Sequence, residues 1–274
     1  MKHTLRVVAG IFLAIFLGFN GSSFAMPFTY DSDNEGWQQA YIGRPSGANY
    51  DQLYNNSPAD WRASGGNPDG NIYQTAGSID KRAYWMGYIG DNFLGDLTGT
   101  QLKVDIFSTN NWQTIANGSY GDDGNVYARW VISNDAGNGL SNIFVSKRAA
   151  SININDLNGW ETHSVILEED NFFRWPNYAA NTQTFADLLK DYDQIGLFIF
   201  SGTDEIDNIN GGNGTWDNNR LIHYGAYSNN QENATWALDN FQAAPVPEPG
   251  TILLMGVGLL GIAGYGRKRL AKKG

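Results

Sequence analysis

Between Met26 and Ala244, apolar side chains recur at every second position over short runs, and clusters of Gly, Asn and Asp separate the runs. Leu102, Val104 and Ile106 alternate with Lys103 and Asp105, and Val126, Ala128, Trp130 and Ile132 alternate with Tyr127, Arg129 and Val131. A period of two belongs to a strand with one face buried. Trp160 to Leu167 and Ile195 to Phe200 are further apolar runs. Turn chemistry lies between them, at Gly65-Gly66-Asn67-Pro68-Asp69-Gly70, Asp122-Asp123-Gly124-Asn125 and Asn210-Gly211-Gly212-Asn213-Gly214. One stretch departs from this period: Phe185, Leu188, Leu189 and Tyr192 follow Thr184 at helical spacing, and the Thr suits an N-cap. The pattern predicts an all-β body with a single short helix and excludes a helical bundle.

Both ends read as addresses. Met1 to Arg6 is basic, Val7 to Phe19 is almost wholly apolar, and Ser23-Phe24-Ala25 places small residues where a signal peptidase cuts, so residues 1–25 are expected to be removed. At the other end, Val246-Pro247-Glu248-Pro249-Gly250 leads into an uncharged run from Thr251 to Tyr265, followed by Arg267-Lys268-Arg269. The run predicts a short membrane helix with a cytoplasmic basic tail. This tripartite end resembles the PEP-CTERM sorting signal of Gram-negative bacteria. The resemblance implies recognition of Pro247, Glu248 and Pro249 by an exosortase, an intermediate held in the inner membrane, and delivery to the outer surface or the extracellular matrix. Gly256-Val257-Gly258-Leu259-Leu260-Gly261 has the form of a dinucleotide-binding loop, but no strand precedes it and no acidic residue follows. The domain boundaries expected are therefore 1–25, 26–244 and 245–274.

Stripped of its ends, the body holds 11 basic against 27 acidic residues and stands near −16. Such a surface repels nucleic acid, whose binding needs a basic face to displace counterions. The chain contains no Cys, which removes disulfides, thiolate metal sites and thiol nucleophiles.

A second resemblance covers most of the body. Phe28, Tyr30, Asp33 and Glu35-Gly36-Trp37 are followed by Trp61, Gly65-Gly66-Asn67-Pro68, Gly70 and Ile72. Tyr84-Trp85, Phe93-Leu94-Gly95-Asp96 and Ala237-Leu238-Asp239-Asn240-Phe241 complete a pattern similar to laminin B (laminin domain IV). Asp69 stands where a second Gly is usual, and Gly87 to Asn92 replaces an Ala-Pro approach to Phe93. The resemblance implies a jelly-roll β-sandwich of the galactose-binding or carbohydrate-binding-module kind.

Signals for catalysis are sparse. Beyond the signal segment the only imidazoles are His163 and His223, with no nucleophile-elbow sequence to serve them. Asp204-Glu205-Ile206-Asp207-Asn208-Ile209-Asn210 parallels the Glu-x-Asp-x-x-Glu strand of retaining glucanases, but Asn210 stands where the second carboxyl must be. Asp31-Ser32-Asp33-Asn34-Glu35-Gly36 opens like an EF-hand loop, yet Ile42 occupies its twelfth position. In an extended segment Asp31, Asp33 and Glu35 share a face. The laminin B resemblance adds a structural Ca²⁺ tying the first strand to the last, with Asp31 and Asp33 facing Asp239. An N-terminal turn capped by Asp33 is the alternative.

Sugar binding needs exposed aromatic faces beside hydrogen-bonding side chains. Trp37, Trp85, Trp130, Trp160 and Trp236 fall in strand patterns and are expected in the core, whereas Trp112, Trp175, Tyr178 and Trp216 fall among loop residues and are the candidate ligand platforms. The expectation is a non-catalytic exported protein that binds carbohydrate or associates with exopolysaccharide. A purely structural matrix protein and a degenerate glycosidase relative are the alternatives.

Overall fold

The computed structural model describes residues 28–43, 52–67, 69–76, 83–90, 93–109, 112–114, 124–135, 140–174, 183–201, 226–228 and 234–246. The signal segment, Trp175, Tyr178, Trp216, the Asp204–Asn210 stretch, His223 and the sorting residues Pro247, Glu248 and Pro249 lie outside them. The chain divides into two compact units, Met1–Ala244 and Pro245–Gly274. Among the described residues no helix is long and apolar enough to cross a membrane.

The first unit is an antiparallel β-sandwich. One sheet has eight strands: β1 (Gln38–Gly43), β2 (Gln52–Pro58), β5 (Ala83–Ile89), β8 (Val126–Asp135), β9 (Leu140–Ser146), β10 (Ile152–Asn153), β12 (Phe172–Arg174) and β13 (Gln194–Ser201). Their order is β12-β9-β8-β13-β5-β1-β2, with β10 on β8. The other sheet has β3 (Asp60–Arg62), β4 (Asn71–Ala76), β6 (Thr100–Ser108), β11 (Glu161–Ile166) and β15 (Ala234–Pro245), in the order β11-β6-β15-β4-β3. A separate pair joins β7 (Trp112–Thr114) to β14 (Ala226–Ser228). The chain crosses directly between the two large sheets at β2 to β3, β4 to β5, β5 to β6, β10 to β11 and β11 to β12, in keeping with the jelly-roll sandwich expected for the body.

Inward-facing residues of both sheets form the core. Leu102, Val104 and Ile106 of β6 meet Ala128, Trp130 and Ile132 of β8, and Trp236, Leu238 and Phe241 of β15 fill the centre. Trp37 packs edge-on to Phe241 at 4.9 Å between centroids, and Phe28 joins them at about 6 Å from each. Each well-oriented ring pair adds ~0.5–1.5 kcal/mol to the area it buries. Phe28 N also donates to Phe241 O at 2.8 Å, so the first described residue is stitched to the last strand.

The strands of β8 are not half-buried as their alternation predicts. Tyr127, Arg129 and Val131 on the outer side are buried too, as are Trp85 and Phe198 on neighbouring strands. The Arg129 guanidinium donates to Ser146 O at 3.0 Å and lies 5.8 Å from the Tyr127 ring centroid. The predicted helix is shorter than its pattern, α1 (Phe185–Leu188). Thr184 caps it by accepting from Asp187 N, and Lys190 N and Asp191 N then bond three residues back, tightening the last turn. Phe185 still packs on Phe144 and Phe172, and Tyr192 Oη accepts from Leu94 N at 2.8 Å.

Candidate ligand-binding face

The outer face of the five-stranded sheet carries the site. Its shape begins with Asn240, which takes φ +50° in mid-strand. Strict alternation after Leu238 would turn Phe241 outward, but a residue in the left-handed region inserts one position. Leu238 and Phe241 therefore both enter the core while Asp239 faces outward.

The Asp239 carboxylate is only 1% exposed because the loop between β3 and β4 lies over it. Asn67 N donates to Asp239 Oδ2 at 2.6 Å and Asn240 N to Oδ1 at 2.7 Å. Asp105, opposite on β6, accepts from Asn67 Nδ2 at 3.2 Å, from Asn240 Nδ2 at 2.8 Å and from Thr162 Oγ1. Asn240 Nδ2 also donates to Asn67 O. Gly66 must be Gly: a Cβ there would strike the Gly70 carbonyl and stand 2.7 Å from Asp239 Oδ2. Gly65 O in turn accepts the Trp160 Nε1 hydrogen at 2.8 Å. Burial pushes the Asp239 carboxyl up to about 6; the Asn67 and Asn240 N–H groups offset part of this, and the charges of Asp105 and Asp31 add to it.

Register then aligns three aromatic rings. Glu161 pairs with Ile106, so Trp160 stands opposite Phe107, with ring centroids 5.7 Å apart. Thr109 N donates to Thr235 O at 2.9 Å, which levels Phe107 with Ala237, and Ala237 pairs with Tyr73. Trp160, Phe107, Ala237 and Tyr73 thus form one row across four strands. The three rings are half-exposed, and the Arg62 guanidinium stands 4.7 Å over the Tyr73 ring. One flank of the row is the Gly65–Asn67 loop. The other is a line of half-buried hydroxyls: Thr75 and Thr235, whose Oγ1 atoms are 3.2 Å apart, and Thr109.

Trp112 is a correction: it is 2% exposed, held in β7 beside Tyr84 with ring centroids 5.6 Å apart, and offers no face to a ligand. The Asn110-Asn111 signal before it suggested a loop, but β7 pairs with β14 and turns the indole inward. Trp160 is corrected in the opposite sense, since it leaves the core set and lies on the outer face. Asp31 and Asp33 are exposed and locally bonded, Asp31 by Thr29 Oγ1 and Asp33 by Glu35 N. The structure does not gather them with Asp239 as a ligand set, and among the described residues no three Asp, Glu or His side chains are grouped to hold a metal. Both Asp239 oxygens already accept a backbone N–H, and the side chain is closed off beneath the loop, so it presents no open coordination position to the implied Ca²⁺.

Residues 245–269 match the PEP-CTERM protein-sorting motif. The protein is therefore an exported one, sorted through an exosortase. No curated protein matches the chain. Among solved structures, it is similar to the family 11 carbohydrate-binding module of the cellulosomal cellulase Lic26A-Cel5E of Clostridium thermocellum, at 13% identity over 82% of this chain and 97% of that one, TM-score 0.42. A structure of that family 11 module from Clostridium thermocellum with a β-1,3-1,4-mixed-linked tetrasaccharide aligns at 14% identity over 82% and 99%, TM-score 0.43. An exo-β-agarase aligns at 12% identity over 82% of this chain and 25% of its own, TM-score 0.40. At this level of similarity the likenesses add nothing to what the strand order already establishes.

Proposed function

We propose that this exported protein is a non-catalytic carbohydrate-binding component of the cell surface or extracellular matrix, associating with exopolysaccharide once its C-terminal segment is removed. The observation that carries the reading is the row of half-exposed rings, Trp160, Phe107 and Tyr73, on a face that also brings threonine hydroxyls and asparagine amides beside them. Aromatic faces take the apolar C–H face of a pyranose, and neighbouring hydroxyls and amides take its hydroxyl groups. The carboxylates of Asp105 and Asp239 beside the row are roofed by the Asn67 loop and bonded to amide and hydroxyl donors, an arrangement that positions a loop. Affinity electrophoresis against neutral polysaccharides and the producer's own exopolysaccharide tests the reading. Retardation of the parent protein and its loss in Trp160→Ala are expected. Unretarded migration in every gel overturns it and leaves a purely structural matrix role.

A further inference from the structure

Resting on that reading, we propose that the ligand is a neutral, linear glycan that crosses the strands of the five-stranded sheet, stacking one sugar on Trp160 and Phe107 and another on Tyr73. Three features point to this class and direction. The stations share one register row, so a chain that touches both runs perpendicular to β6, β15 and β4. Neighbouring strands lie about 4.8 Å apart, which puts Tyr73 roughly 10 Å from Phe107 and roughly 14 Å from Trp160. That span needs an oligosaccharide and is too long for a single sugar.

Ala237 separates the stations in the row, its small side chain fully covered by its neighbours. Each flank confines a chain to that line. The Gly65–Asn67 loop closes one side through its bonds to Trp160 and Asp239. Thr75, Thr235 and Thr109 bring hydroxyls to the other, suited to the equatorial hydroxyls of a chain lying alongside. The neutral class follows from charge. Asp105 and Asp239 spend their oxygens on five protein donors, and at the far end of the row the exposed Asp60, opposite Tyr73, is offset by Arg62 over the same ring. Arg62 is the cation closest to the row by its contact with Tyr73; it also donates to Asn71 Oδ1 at 2.9 Å, and the body's charge near −16 repels a polyuronate.

The test is isothermal titration of the full chain in a sugar-free zwitterionic detergent. The probes are gluco-, manno- and galacto-oligosaccharides of one to six units, with oligogalacturonate as the charged probe. Affinity for at least one neutral series should rise tenfold or more between two and four units and then level off. Trp160→Ala and Tyr73→Ala should each reduce the tetramer to the affinity of the dimer, while Trp160→Phe and Tyr73→Phe, which keep a ring, should restore most of the gain. Near-ultraviolet circular dichroism shows that each variant is folded. Oligogalacturonate should bind more weakly than the neutral tetramer. If polysaccharides bind but the tetramer binds no better than the dimer, or both alanine variants bind like the parent, the two-station inference falls while carbohydrate binding stands. Tighter binding of oligogalacturonate overturns the neutral class. Failure of every oligosaccharide together with every polysaccharide removes the parent reading and this one with it.

Discussion

Replacing Asp239 by Asn isolates the energetic cost of the buried carboxylate. In the folded protein this group titrates near 6 in place of its ordinary 3.8. At ~1.36 kcal/mol per pKa unit the difference is on the order of 3 kcal/mol. Its sign follows from proton linkage: the folded state holds the proton more tightly than the unfolded chain does. The stabilisation is therefore complete below the unfolded value near 3.8 and is lost as pH rises through about 6. Urea unfolding of the Met26–Ala244 body, followed by tryptophan fluorescence, should show the parent gaining roughly 2.4 kcal/mol over Asp239→Asn as pH falls from 7.5 to 4, most of the full difference. The variant also places an amide hydrogen against a backbone N–H, a penalty of about 1–3 kcal/mol. That penalty is independent of pH, so it displaces the difference without changing its slope. Other carboxylates titrate in both proteins and cancel, apart from the charges of Asp105 and Asp31, which feel the substitution directly. A difference that stays flat across this range would refute the buried, loop-covered carboxylate.

Gly66→Ala should lower stability by about 1–3 kcal/mol, because its Cβ meets the Gly70 carbonyl and Asp239 Oδ2; thermal melting reads the loss. Trp112→Ala should cost ~3–5 kcal/mol as a core truncation, whereas Trp160→Ala should cost about 1 kcal/mol for its one bond to Gly65, and comparing their melts separates core from surface indole. EDTA should leave the melting temperature of the body unchanged, since the Asp239 oxygens are held by backbone hydrogens; a drop of several degrees would show that a cation occupies some other part of the fold. Mass spectrometry of the native product should find a chain that begins at Met26 and lacks residues from about Thr251 onward, and an intact C-terminus on surface protein would argue against exosortase removal.

The architecture was legible because its signals are local. Alternation along β6 and the Gly and Asn clusters between runs act over a few residues, and they give sandwich strands whatever their partners turn out to be. The C-terminal address was legible for the same reason, being contiguous and read in order. Burial of the second face of β8 was not, because a central strand of an eight-stranded sheet is defined by its neighbours, and Tyr127, Arg129 and Val131 carry no mark of their own. Trp112 failed in the same way: the residues before it are turn formers, and only pairing with β14 makes it a strand.

The candidate face lay beyond local reading because it is a product of register. Trp160, Phe107 and Tyr73 are far apart in the chain, and each falls in a strand pattern that offers either face. A slip of one residue in any pairing would send its ring to the opposite side. What fixes the phase on β15 is the bulge at Asn240, whose left-handed backbone turns Asp239 outward and Phe241 inward within two residues. A trace of this was present in the sequence. Leu238 and Phe241 are three apart where a strand requires an even spacing, and Asn, the non-glycine residue most tolerant of positive φ, stands between them. Once Asp239 faces outward it must be covered or solvated, and the Gly65-Gly66-Asn67 loop covers it with backbone hydrogens. The same loop fastens Trp160 by its indole N–H. The Gly65-Gly66-Asn67 loop and the closing Leu238-Asp239-Asn240, separate motifs in the sequence, are thus two halves of one clasp, and the orientation of the ring proposed to meet the glycan depends on both.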